Sequence, residues 1–289
     1  MSESHIAGNS VSSAPKGALE HPKHLTCLTK SKVSLQTADG RLIEVWELDV
    51  PLSAEFLSPW ASRFRQQYCP DHEIDQLREG TGLSRADYLT QLVFPDKTNA
   101  PGPAIRSSDF AELLVSDYVE FVLGYRVPRG KYADKASRNE SVKGVDILGF
   151  KMVNPPHVSQ NDTLLAFEVK AKASGAPYSG QLQSAIDDSS EDYLRRAITL
   201  NATKRRLLRA GEGQEALVVQ RFQNQADHPY IYRSGAAALL SDDAYNKVAL
   251  EGSVTEKHQN SKNLELIVIR GSALMNLIHA LYERAANEA

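Results

Sequence analysis

The stretch Leu164-Leu165-Ala166-Phe167-Glu168-Val169-Lys170-Ala171-Lys172 reads as one β-strand with two unlike faces. Side chains alternate along a strand, so Leu165, Phe167, Val169 and Ala171 point one way and Glu168, Lys170 and Lys172 the other. One face is core and the other carries charge. Just upstream, Gly144-Val145-Asp146-Ile147-Leu148-Gly149-Phe150 reads as a second strand that presents an aspartate, with Val153 to Asp162 intervening. Before both lies a helical stretch carrying Glu112.

Two carboxylates and a lysine on neighbouring strands can hold a divalent cation and an attacking water. Mg²⁺ takes oxygen ligands, one or two of them carboxylates, and keeps several of its waters. On this reading Asp146 and Glu168 share the metal, the main-chain carbonyl of Val169 assists, and Lys170 orients the water or stabilises charge developing on a phosphate. Glu112 is a candidate for a second metal or a metal-bound water. Its rival role is structural: Asp109 can cap the helix, and Glu112, three residues on, can close a capping box. Glu and Lys on a strand are also common as plain surface pairs of little energetic value.

Composition narrows the classes. A chain of 289 residues, 42% hydrophobic and 24% charged, can bury a sizeable core and is not disordered throughout. No apolar run approaches the roughly 18 residues of a membrane span, and the first residues lack a secretion signal. A cytoplasmic protein is expected. Cys27 and Cys69 make no disulfide framework and read as free thiols. The formal net charge of −3 runs against unaided nucleic-acid binding, for which a basic balance supplies most non-specific affinity. Either the cations are gathered in one place or a partner delivers the DNA.

Along the chain, residues 1–24 read as a mobile tail, 25–103 as a hairpin and helical region, and 104–289 as the main domain. His21, His24 and Cys27 have spacings a metal could use, but no second pair follows at a zinc-finger distance. Asp39-Gly40 joins two strand-like runs, Lys32 to Gln36 and Arg41 to Val50. Phe56, Leu57, Trp60 and Phe64 form a helical stripe, and Ser84 is placed to cap a helix containing Asp87. The helix after Asp109 buries Phe110, Leu113, Leu114, Tyr118, Phe121 and Val122 and ends at Gly124. Arg126, Arg129, Lys131, Lys135, Arg138 and Lys143 then form a basic run.

Beyond Lys172 comes a small-residue stretch, Ala173 to Pro177, and then Gln181, able to meet a phosphate or simply a helix surface residue. A long helix runs from the acidic Asp187–Glu191 to about Arg209. Its Arg195, Arg206 and Arg209 share one side, as a DNA-facing ridge or a solvated face. Glu215 to Phe222 and Leu264 to Arg270 are expected strands, with a short helix near Ala236 to Leu240 between them and a last helix over Ser272 to Ala286. The alternation of strands and helices gives an α/β fold: a central mixed sheet flanked by helices, with an N-terminal hairpin-plus-helices extension.

A helix with Glu, Gly-x-Asp on a strand, Glu-x-Lys on the next and a helix opening with Gln resembles the core of the PD-(D/E)xK nucleases. More particularly, Ser108–Leu114, Lys143–Gly149, Phe167–Lys170 and the closing strand and helix from Leu264 to Glu288 resemble the HamA-like family of the Hachiman anti-phage system. The likeness covers most of the chain after about residue 40. It departs in having Gly-Val-Asp in place of Pro-Asp and in the Val153–Asp162 insertion. The resemblance implies a restriction-endonuclease-like core and a nuclease using Mg²⁺ or Mn²⁺. Asp146, Glu168 and Lys170 would be its catalytic residues, with Glu112 joining them. Lys172, Gln181, Arg195, Arg206 and Arg209 are the candidate DNA contacts. It also implies a superfamily 2 helicase partner (HamB-like), which would explain the acidic balance. Two other readings stay open: a catalytically inert scaffolding subunit of a helicase complex, and a stand-alone restriction-type endonuclease.

Overall fold

The computed structural model describes residues 21–174 and 177–289. The expected mobile tail therefore lies outside the described residues up to 20, as do Gly175 and Ala176 of the small-residue stretch. Residues 21–24, assigned to that tail from sequence, are part of the fold: His24 is buried, stacked on Trp60, with its Nε2 2.8 Å from Asp117.

Seven strands form one mixed sheet among the described residues. They are β1 (Leu28–Lys30), β2 (Leu35–Gln36), β3 (Leu42–Leu48), β4 (Ile147–Lys151), β5 (Thr163–Lys172), β6 (Ile231–Ser241) and β7 (Leu264–Gly271). The order is β1-β3-β7-β6-β5-β4, with β2 also on β3. The neighbours β3–β7, β7–β6 and β6–β5 are parallel, while β5–β4 and the pairings of β1 and β2 with β3 are antiparallel. The Asp39-Gly40 turn forms as its residues predict, Gly40 taking φ +82°. The N-terminal hairpin strand β3 is thus an integral part of the same sheet as β5.

The helices are α1 (Ala54–Arg65), α2 (Ile74–Arg78), α3 (Arg85–Tyr88), α4 (Gly102–Asp117), α5 (Gln181–Ser190), α6 (Asp192–Arg209), α7 (Gly213–Arg221), α8 (Lys247–Glu251) and α9 (Leu274–Asn287). Ser84 caps α3 as expected, accepting from the Asp87 N–H at 3.1 Å. On one side of the sheet α1, α4 and α9 bury Trp60, Phe64, Phe110, Leu114, Ile278 and Leu281 against Leu165, Phe167 and Val169 of β5. On the other side α5 packs on β5 and β6, while α6 and α7 cover β4 and β5 through Leu200, Leu207, Val219 and Phe222.

Four further expectations are overturned. Ala236–Leu240 is not a short helix but the middle of β6. Its Ala-rich run has high helix propensity, yet a central parallel strand covered on both faces needs continuous apolar residues, and burial decides. Small residues also admit neighbours here: a Cβ on Gly235 would lie 2.2 Å from the Phe167 ring. Glu215–Phe222 is helical, as α7, because Ala216, Val219 and Phe222 reach the core at three-residue intervals. The capping box at Asp109 and Glu112 does not exist, since α4 begins at Gly102 and both acids sit in its interior. The Asp187–Arg209 helix is divided at Glu191 into the end of α5 and all of α6.

Candidate metal and phosphate site

β4 and β5 pair directly despite the Val153–Asp162 insertion, Ile147 opposite Phe167, so Asp146, just before β4, stands beside Glu168 and Val169. The Val169 N–H donates to Asp146 Oδ2 at 2.9 Å and fixes that carboxylate. A cleft of about 570 Å³ opens over this edge. Asp146, Glu168, Val169, Lys170, Glu112, Gln181 and Arg195 all line it.

Glu168 is 2% exposed and its Oε1 accepts no hydrogen bond. Lys170 Nζ lies 3.6 Å from Glu168 and 2.5 Å from Asp188 at the end of α5. Arg195, on the first turn of α6, reaches Glu168 Oε1 at 3.1 Å. Glu112 comes from α4: Tyr132 donates to it at 2.7 Å, Lys131 pairs with it, and Lys131 also donates to the Asp146 carbonyl at 2.6 Å. Glu112 is therefore more fully satisfied within the chain than Glu168 is.

Crowding and burial raise the carboxylates of the cleft above their ordinary range. Burial and the neighbouring Glu168 push Asp146 up to about 7. Burial and Asp192 push Glu168 up to about 7. Burial, with Asp146 nearby, raises Glu112. Burial alone would lower Lys170, but Asp188 and Glu168 hold it above its ordinary value, so it stays a cation.

The donors suit a hard cation. Asp146 and Glu168 both line the cleft and offer carboxylate oxygen, and Glu168 Oε1 is buried without a hydrogen bond, with the Arg195 guanidinium 3.1 Å away. Among the described residues no three Asp, Glu, His or Cys side chains form a ready-made ion cage. An ion here would be held by two carboxylates, main-chain oxygen and water, which is the Mg²⁺ pattern.

The remaining sequence candidates divide. Lys172 ends β5. Gln181 lines the cleft at the start of α5 but exchanges hydrogen bonds with Ser179. Arg206 sits roughly 16 Å farther along α6 than Arg195. It donates to the Arg129 carbonyl at 3.2 Å and lines a separate small cavity. Arg209 lies on another shallow surface, with Asn201 and Lys204. The three arginines do not meet one site.

The basic run is largely neutralised. Arg126 lies near Glu215, Arg129 pairs with Asp117 and Glu120, Lys131 with Glu112, Lys135 with Asp109 and Arg138 with Asp96. Among the described residues only Lys143 of the six lacks such a partner, and it lines the cleft. His21, His24 and Cys27 do not converge: His21 contacts the Phe121 carbonyl and His24 is bound to Asp117. Sequence reading places Lys131 only in the basic run and Asp188 only in an acidic helix start, and gives Tyr132 and Asp192 no role in the site. An acid three residues before Arg195 was the one available hint for Asp192, and an acid at a helix start has an ordinary explanation in the helix dipole.

No helix among the described residues is long and apolar enough to cross a membrane. A comparison with curated proteins finds no significant match. The family model described as HamA matches residues 23–285, which include every element of the sheet and the whole cleft. The chain belongs to the HamA family, which places it in the context of Hachiman anti-phage defence.

Proposed function

We propose that the protein is a metal-dependent DNA nuclease with a PD-(D/E)xK-type core, acting with a helicase partner in Hachiman defence. The observation that carries this reading is the convergence of Asp146, Glu168 and Lys170 on one open cleft, where Glu168 Oε1 is buried and accepts no hydrogen bond. A bound Mg²⁺ or Mn²⁺ would supply Lewis-acid polarisation of the phosphate and a nucleophile at neutral pH. Asp146 and Glu168 would hold it, with the Val169 carbonyl as a third oxygen. Lys170, kept cationic by its two acid neighbours, would stabilise charge developing on the phosphate. Glu112 would act at one remove: its Lys131 partner fixes the Asp146 main chain.

The charge balance favours a helicase partner. Net charge is −3 and most of the basic run is paired internally, so this chain offers few cations for DNA, which a helicase would engage and deliver. An inert scaffolding subunit is the second reading. It is favoured by the pairing of Glu112 with Lys131 and of Glu168 with Arg195 inside the chain.

Plasmid degradation tests the choice, with Mg²⁺, Mn²⁺ or chelator, by the chain alone and with a co-purified helicase. Metal-dependent loss of plasmid is expected. No degradation in any condition, although DNA and helicase are bound, would establish the scaffold.

A further inference from the structure

Glu168, Asp192 and Arg195 meet at the back of the cleft. Asp192 opens α6, is fully buried, and neither of its carboxylate oxygens accepts a hydrogen bond. Arg195, one turn later, places a single guanidinium nitrogen, Nη2, against three oxygens. It lies 2.8 Å from Asp192 Oδ1 and 3.1 Å from Glu168 Oε1, and donates to the Asp188 carbonyl at 2.6 Å. The side chain is about one third exposed and lines the cleft.

Four of the ten buried polar atoms without a hydrogen bond, among the described residues, belong to this triad: Glu168 Oε1, both Asp192 oxygens and Arg195 Nε. Such a concentration marks a place arranged for something other than stability, because a buried, poorly bonded charge is costly. Arg195 is the cation that Asp192 has within pairing distance among the described residues. The burial of Asp192 thus anchors the guanidinium at the Glu168 edge. A guanidinium fork matches phosphate oxygens. In two-metal sites a second ion some 3.5–4 Å from the first clamps the leaving oxygen. Here that flank is already taken by a cation of the chain itself.

We propose that Asp192 is a positioning residue that holds Arg195 beside Glu168, so that Arg195, and not a second metal ion, is the second cation a scissile phosphate meets. This rests on the nuclease reading above.

The test is a double-mutant cycle in the full chain, with its helicase where activity requires one, measuring kcat and KM together with an electron paramagnetic resonance count of bound Mn²⁺. Arg195→Ala should lower kcat about 10²-fold, the scale of one lost electrostatic contact, with KM changed less than about threefold. The isosteric Asp192→Asn should lower kcat about tenfold because the fork loses its aim. The double variant should be no slower than Arg195→Ala alone, and the wild type should bind one Mn²⁺. Losses that multiply in the double variant, an unchanged kcat in Asp192→Asn, or two tightly bound Mn²⁺ ions in a chain that cleaves would overturn the proposal alone. A chain that binds no Mn²⁺ and cleaves nothing would overturn the nuclease reading, and the proposal with it.

Discussion

Gly144→Ala should be costly out of proportion to one methyl group. Gly144 has φ +117°, a region L side chains rarely enter, and a Cβ there would lie 2.7 Å from Thr199 Oγ1 on α6. Backbone strain of this kind costs about 1–3 kcal/mol. The close contact adds a further 1 kcal/mol or so if Thr199 stays in place. If Thr199 turns away, the Val145 N–H, which donates to its Oγ1 at 3.1 Å, loses its partner at a similar cost. Either route sums to about 2–4 kcal/mol, or a fall in Tm of roughly 3–7 °C for a chain of this size. Urea unfolding of Gly144→Ala, Thr199→Ala and the double variant reads it. The steric share should vanish in the Thr199→Ala background while the backbone share persists. Because Gly144 is two residues before Asp146 and Thr199 is one turn after Arg195, the proposed nuclease activity should fall as well. A Gly144→Ala cost below about 0.5 kcal/mol would refute the packing argument.

Two further outcomes follow from the buried charges. Asp146, Glu168 and Asp192 are all pushed up to about 7, so the folded chain keeps protons between about pH 4 and 7 that the unfolded chain releases. The metal-free protein should therefore lose stability as pH rises through that window, and Mn²⁺ at pH 8 should restore it in proportion to the logarithm of its concentration. A melting temperature flat from pH 5 to 8 would contradict this. Lys131→Met should cost about 3–5 kcal/mol, since it leaves the buried Glu112 charge unpaired and frees the Asp146 carbonyl. Glu112→Gln in the same background should recover part of that loss in thermal melts, and no recovery would mean that the pair is not what Lys131 serves.

The parts of the fold legible in the sequence were those with a local signal. The β5 strand, the Asp39-Gly40 turn, the Ser84 cap and the final apolar helix each follow from nearest neighbours, but the expected charged face of β5 is covered too: Leu164, Ala166 and Glu168 are buried like Leu165 and Phe167. The failures came where tertiary burial outweighed local preference. Ala236–Leu240 has the composition of a helix and becomes a strand because both of its faces are covered, and Glu215–Phe222 has β-branched residues but buries at helical spacing. In the cleft, Asp146, Glu168 and Lys170 could be read because a short strand pair brings them together. Asp192 and Lys131 could not, because their contacts span 24 and 19 residues to Glu168 and Glu112 through helix packing that no local pattern encodes. The basic run was legible as charge but not as surface, since its partners Asp96, Asp109, Glu112, Asp117, Glu120 and Glu215 lie outside the run itself.

The most direct measurement is the rate of supercoiled-DNA cleavage with Mg²⁺ for the wild type, Glu168→Gln and Lys170→Met, each assayed with the proposed helicase partner and checked for an unchanged thermal midpoint. Cleavage by the wild type with at least about a 10²-fold loss in both variants is the expected result. Folded variants that cleave at the wild-type rate would show that this cleft is not where the phosphodiester is broken.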